Sequence, residues 1–111
     1  MSEIHKRTKI EINVGLNENR LPVEMHWEAS DGAGSGECKA MLLALWDGDA
    51  ANAMRIDLWN NDMSVYDMQR FFHQTLFTMG DTFERATGNK DAAAAIREFA
   101  RTFATKVGIM G

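Results

Sequence analysis

Glu24, His26 and Glu28 alternate along one short stretch of the chain. In an extended strand all three project from the same face. A histidine between two carboxylates is a pattern suited to general acid–base work. Arg55 and Asp57 share a second alternating stretch and would enlarge the polar cluster if the two strands were neighbours. The same spacing is what a solvated sheet face looks like, and it supplies no nucleophile. Cys38 is the only cysteine and sits between Glu37 and Lys39. The carboxylate raises a thiol pKa and the ammonium lowers it, so the pair gives no net activation.

Three further stretches resemble ligand loops without completing one. Gly32-Ala33-Gly34-Ser35-Gly36 lacks the lysine and the Ser/Thr of a phosphate loop and precedes a strand pattern where that motif needs a helix. It reads as a flexible connector. Gly88-Asn89-Lys90 does precede a helical pattern, but reads as a capping turn between two helices. Asp47-Gly48-Asp49 lacks the later ligands and the glutamate of a calcium loop. His5, His26 and His73 fall on separate elements with no zinc spacing. The expectation is no catalytic residue, no cofactor and no metal, and a chain that is not an enzyme.

The elements that would hold these residues follow from periodicity. Thr8, Ile10, Ile12, Val14 and Leu16 share one parity, and Arg7, Lys9, Glu11 and Asn13 the other, which marks a half-buried strand over about 6–16. Leu21, Val23, Met25 and Trp27 mark a second over about 21–29, with Pro22 suggesting an edge position. Placing Leu16 opposite Leu21 leaves a four-residue loop, and then Ile10 faces Trp27, Ile12 faces Met25, Lys9 meets Glu28 and Glu11 meets His26. Ala40 to Trp46 is apolar at both parities and reads as a third strand, about 39–46. Met54, Ile56 and Leu58 alternate with Arg55, Asp57 and Trp59 in a fourth, about 53–59.

Two helices follow. Ser64, with Asp67 three residues on, is a start signal. Val65, Met68, Phe72, Leu76, Met79 and Phe83 form a stripe at helical spacing to about 87, and Gly88 is the stop. Asn89 or Asp91 caps the second helix, about 90–107, with Ala92, Ala95, Ile96, Phe99, Phe103 and Val107 as its apolar stripe. Gly108 to Gly111 reads as a frayed tail. The expectation is one α+β domain over 1–111: a four-stranded antiparallel sheet of two successive hairpins, then an αα-hairpin packed on one sheet face.

The chain has 111 residues, 45% of them hydrophobic and 25% charged, which is globular rather than disordered composition. Twelve basic residues against sixteen acidic ones give a net charge of -4, so no nucleic-acid partner is expected. The first seven residues have no apolar signal core. The longest apolar run, Ala40 to Trp46, is far too short to span a bilayer. With a single cysteine, a cytoplasmic chain without direct membrane insertion is expected.

The apolar surplus carries more functional information than the polar residues. If Met41, Leu43 and Leu45 face the helices, then Leu42, Ala44 and Trp46 face the other way, and Trp59 joins them from the next strand. That outer face would carry an apolar patch around two tryptophans. Patches of this kind mark interfaces, so Leu42, Ala44, Trp46 and Trp59 are the candidate partner-binding residues. Residues 30–37 or 1–4 folded over the patch would be the alternative. Tyr66, Phe77 and Phe71 offer a second outward set, expected to pack against the second helix.

The whole chain resembles the gliding-motility protein GldC family of the Bacteroidota. The resemblance rests on Ile4-His5-Lys6, Trp27-Glu28-Ala29, Glu37-Cys38-Lys39, Leu45-Trp46-Asp47-Gly48 and Arg55-Ile56-Asp57-Leu58-Trp59. The most specific stretches are Phe71-Phe72-His73-Gln74-Thr75-Leu76 and Asp81 to Asn89. It implies a cytosolic accessory factor of the gliding machinery, with machinery proteins as partners and no catalytic residue to carry over. The expected assembly is a homo-oligomer. The element order is also similar to that of the SecB export chaperones, which bind unfolded clients in apolar grooves.

Overall fold

The computed structural model describes residues 3–109. The order is β1 (Ile10–Leu16), β2 (Pro22–Ala29), β3 (Gly34–Cys38), β4 (Ala40–Asp47), β5 (Asn52–Trp59), α1 (Val65–Thr87) and α2 (Lys90–Val107). The chain divides into two compact units, one ending at Met63 and one beginning at Ser64. The class is α+β, as expected. The single four-stranded sheet is not what forms: β1, β2 and β3 make one antiparallel sheet, and β4 and β5 another.

The extra strand, β3, arises from the glycine-rich stretch expected to be a loop. Trp27 lies opposite Gly36, and Ala29 opposite Gly34. The Trp27 indole lies across both glycines: a Cβ on Gly36 would fall 3.2 Å from its Nε1, and one on Gly34 3.1 Å from its Cη2. Glycine disfavours strands by leaving no side chain to pack. Here the missing side chains are the room the indole occupies.

The β1–β2 register also differs from the expected one by two residues. Ile10 faces Ala29, Ile12 faces Trp27, and Val14 faces Met25. An irregularity between Gly15 and Leu16 absorbs one residue, so that Leu16 meets Pro22. The turn is held by the Asn17 side chain, whose Oδ1 accepts from the Asn19 and Leu21 N–H groups at 2.9 and 3.1 Å. Arg20 takes a positive φ of 64°. Because the shift is two, each side chain keeps its face. Ile12, Val14, Met25, Trp27 and Cys38 share one, on which Met25 is wholly buried.

In the helical unit the caps form as their residue types dictate. Ser64 Oγ accepts from the Asp67 N–H at 3.0 Å, and Asn89 Oδ1 from the Ala92 N–H at 3.0 Å. Gly88 ends α1 and Gly108 ends α2 in the left-handed conformation. The expected fraying from Gly108 does not begin there: Gly108 N–H bonds to Thr105 O and Ile109 N–H to Ala104 O, a closed helix terminus. Met110 and Gly111 lie outside the described residues.

The helix–helix seam is made by small residues. Ala93, Ala100 and Ala104 of α2 are buried, as is Gly80 of α1. A Cβ on Gly80 would fall 3.1 Å from Ala93 O and 2.8 Å from Arg97 Cγ. The backbones meet through small residues, so the large side chains of both stripes sit beside the seam. Phe72 and Phe103 approach to 6.4 Å between centroids, while Val65, Met79 and Phe99 stay exposed. Arg97 crosses to α1, where its guanidinium reaches Glu84 and Asp81 at 2.9 and 2.8 Å. Phe77 does turn toward α2, with the Arg101 guanidinium 5.7 Å above its ring.

Candidate interaction surface

The polar residues singled out for chemistry lie on the second face of the β1–β2–β3 sheet. His26 bonds through Nδ1 to Glu37 Oε1 at 3.0 Å across the β2–β3 pair, with Glu28 Oε1 3.9 Å from its Nε2. The expected Lys9–Glu28 and Glu11–His26 pairs give way with the register. Glu11 instead lies opposite Glu28. Lys9 Nζ, 2.7 Å from Glu11 Oε1, offsets that like-charge pair. The Lys9 pKa is raised by its hydrogen bond to Glu11 and by the glutamate charges, and the Glu11 pKa is lowered by the same bond.

These groups stand on an open sheet face, with more than half of the Glu28 and Glu37 side chains exposed. Arg55 and Asp57 belong to the other sheet. Glu24 and Asp57 line different pockets. Cys38 lines a shallow pocket of about 410 Å³ with Val23, Glu24, Met25, Glu37, Lys39 and Asn60. Burial, and then the Glu37 charge, push its thiol pKa up, away from the thiolate a nucleophile needs. Asn60, which sequence reading did not single out, is buried there, and its Oδ1 has no hydrogen-bond partner among the described residues. Among the described residues no group of three or more His, Cys, Asp or Glu side chains is placed to hold a metal ion.

The β4–β5 hairpin is where the apolar surplus lies. Its register pairs Ala40 with Trp59, Leu42 with Asp57, Ala44 with Arg55 and Trp46 with Ala53. All eight side chains share one face, because directly opposed residues do. Leu42, Ala44, Trp46 and Trp59 are therefore on one surface, with Trp46 70% and Trp59 53% exposed. They do not form one cluster around two indoles. The rings stand at opposite ends of the hairpin, about 20 Å apart at strand rise, with Arg55 and Asp57 between them.

The opposite face is the larger find. Met41 pairs with Leu58, Leu43 with Ile56 and Leu45 with Met54, six apolar side chains with no polar one among them. Leu45, Met54 and Ile56 are each more than half exposed. The signal was in the sequence: the odd residues of 41–45 and the even ones of 54–58 are all apolar. A two-stranded hairpin is marginal alone in water, and this one shows exposed apolar side chains on both faces. Such surfaces mark sites of protein contact.

Residues 22–109 match the model of a family described as gliding motility-associated protein GldC-like. The chain belongs to the GldC-like family. The match covers β2 through α2 and the end of the chain's described residues, and it associates the chain with gliding motility. No curated protein and no solved structure matches it. No helix among the described residues is long and apolar enough to cross a membrane.

Proposed function

We propose that this GldC-like chain is a non-catalytic accessory protein of the gliding machinery, working in the cytoplasm as a homo-oligomer that binds another machinery protein. The carrying observation is the β4–β5 hairpin, which presents Leu42, Trp46 and Trp59 on one face and Leu45, Met54 and Ile56 on the other, all exposed. Large exposed aromatic side chains, here at the two ends of a strip that carries Arg55 and Asp57 between them, are the anchors that protein interfaces use. Ala44 lies between Leu42 and Trp46, where its small side chain lets a partner approach the backbone. The test is capture of machinery proteins from gliding cells by wild type and by Trp46→Glu. The exposed site lets the variant fold, and it should lose the captured protein. Equal capture by both would remove Trp46 from the interface.

A second reading, a SecB-like chaperone for unfolded clients, is favoured by the six-residue apolar face. Met41 and Met54 in it are adaptable, and unbranched thioethers suit surfaces that accept many sequences. It predicts that excess chain slows aggregation of unrelated unfolded proteins. Absence of any suppression would rule this reading out.

A further inference from the structure

Among the described residues no strand pairs with the outer edge of β5, and its hydrogen-bonding pattern can be read. Asn60 N–H donates to Lys39 O at 2.8 Å, continuing the β4–β5 register by one step. Residues of an antiparallel strand alternately aim their N–H and C=O at one neighbour and at the other. Leu58, Ile56 and Met54 therefore bond to β4, and Asp57, Arg55 and Ala53 aim outward. Asn61 confirms the parity: its N–H points outward and is taken by Pro22 O at 3.1 Å. A gap of about 210 Å³ separates Leu21 and Pro22 from Asp57, Leu58 and Trp59. From Ala53 to Asp57 no strand pairs with the edge among the described residues.

We infer that a second copy of this chain pairs with this edge, β5 against β5 in antiparallel fashion, about a two-fold axis at Ile56. The inference deepens the homo-oligomer part of the proposed function and rests on it. Charge selects the occupant and the register. With Ile56 opposite Ile56 of the second copy, Arg55 stands opposite Asp57 and Asp57 opposite Arg55, giving two opposite-charge pairs by symmetry. Met54 stands opposite Leu58 on the apolar face. A one-residue slip would put apolar side chains opposite polar ones. A slip of two places either Arg55 opposite Arg55 or Asp57 opposite Asp57, at the centre of the pairing. Within the chain, neither Arg55 nor Asp57 has an ion-pair partner among the described residues.

The outer edge of β4 offers no such choice, since Ala40 to Trp46 contains no charge. Pairing through β5 gives the order β4–β5–β5–β4. The four-stranded sheet has the strand number that a hairpin alone lacks. Its one face would carry the six apolar side chains of each copy side by side, and its other face the Trp46 and Trp59 indoles around a central pair of ion pairs.

The test is light scattering over a dilution series, with circular dichroism to check folding. The variants are Arg55→Asp, Asp57→Arg and the double swap R55D/D57R. Each single reversal turns two attractive pairs into two repulsive ones and should weaken self-association roughly 10- to 100-fold. The double swap restores opposite charges and should recover the wild-type mass. Mixing the two single variants should give a heterodimer, since every pair is then complementary. A wild type that stays monomeric throughout would overturn the inference. So would a dimer indifferent to the reversals, or folded variants that neither the swap nor the mixing rescues. Failure of the partner-binding reading shows separately, as undiminished capture of machinery proteins by Trp46→Glu.

Discussion

Trp27 decides more of the β unit than any other side chain with a visible role. Its indole covers Gly34 and Gly36, so β3 exists as a strand because two of its positions are empty. Residue propensities alone could not show this, since Gly-rich stretches look like loops until a partner for the gap is known. The clue was the parity: Gly34, Gly36 and Cys38 alternate with Ser35 and Glu37. Gly36→Val puts a branched side chain where the Cβ already falls 3.2 Å from Trp27 Nε1. The variant should lose about 1–3 kcal/mol, the usual cost of overpacking, read from urea unfolding followed by tryptophan fluorescence. Ser35→Val, exposed and of opposite parity, should stay within about 0.5 kcal/mol of wild type. Equal losses at both positions would show that β3 is weakened by substitution as such and not by the indole.

At the scale of elements, the signals read best were the local ones. Ser64, Gly88 and Asn89 end or start the helices where their side-chain oxygens and conformational freedom place them, and the strand parities hold. What failed was long-range. The β1–β2 register was displaced by two residues, one at the turn, where Leu16 meets Pro22 and not Leu21, and one at the Gly15/Leu16 irregularity; a pattern of alternation records neither. The helix seam was missed because the contact with α2 was expected from large side chains, Tyr66, Phe77 and Phe71. The contact is made instead by Gly80 against Ala93, with Ala100 and Ala104 buried beyond. Close backbone approach prefers small residues, and these carry little weight in any hydrophobic pattern. Gly80→Val should therefore be costly although it raises helix propensity by a few tenths of a kcal/mol. The new side chain meets backbone at Ala93 O, which cannot swing away as Arg97 can. A loss of about 1–3 kcal/mol in thermal or urea unfolding is expected. A neutral or stabilising result would mean that the helices separate at Gly80 without penalty.

At the scale of the whole molecule, β4 and β5 were recognisable one by one, but β3 was not, nor was the grouping of the strands. β3 and β4 are separated by Lys39 alone, and the pairing changes from β2 to β5 at that residue. No residue type announces such a change of partner. Its consequence is a hairpin bonded to the first sheet near its base, where Asn61 N–H meets Pro22 O, with Leu45, Met54 and Ile56 exposed on one side and Trp46 and Trp59 on the other. Surface of that kind is covered or aggregates, and coverage by a second copy has a thermodynamic signature. Whatever binds the folded state stabilises it by mass action, so the melting temperature should rise with protein concentration. A hundredfold increase, taken within the dimeric range, corresponds to about 2.7 kcal/mol per dimer, about 1.4 kcal/mol per chain, and a rise of roughly 6 °C for a domain of this size. Ile56→Lys places two like charges at the proposed two-fold axis and should abolish the concentration dependence. At the dilute end its melting temperature should match that of wild type, since an exposed substitution usually shifts stability by no more than about 0.5 kcal/mol. If the variant is instead destabilised at every concentration, Ile56 is covered within its own chain. The apolar face of the hairpin would then belong to the core and not to an interface.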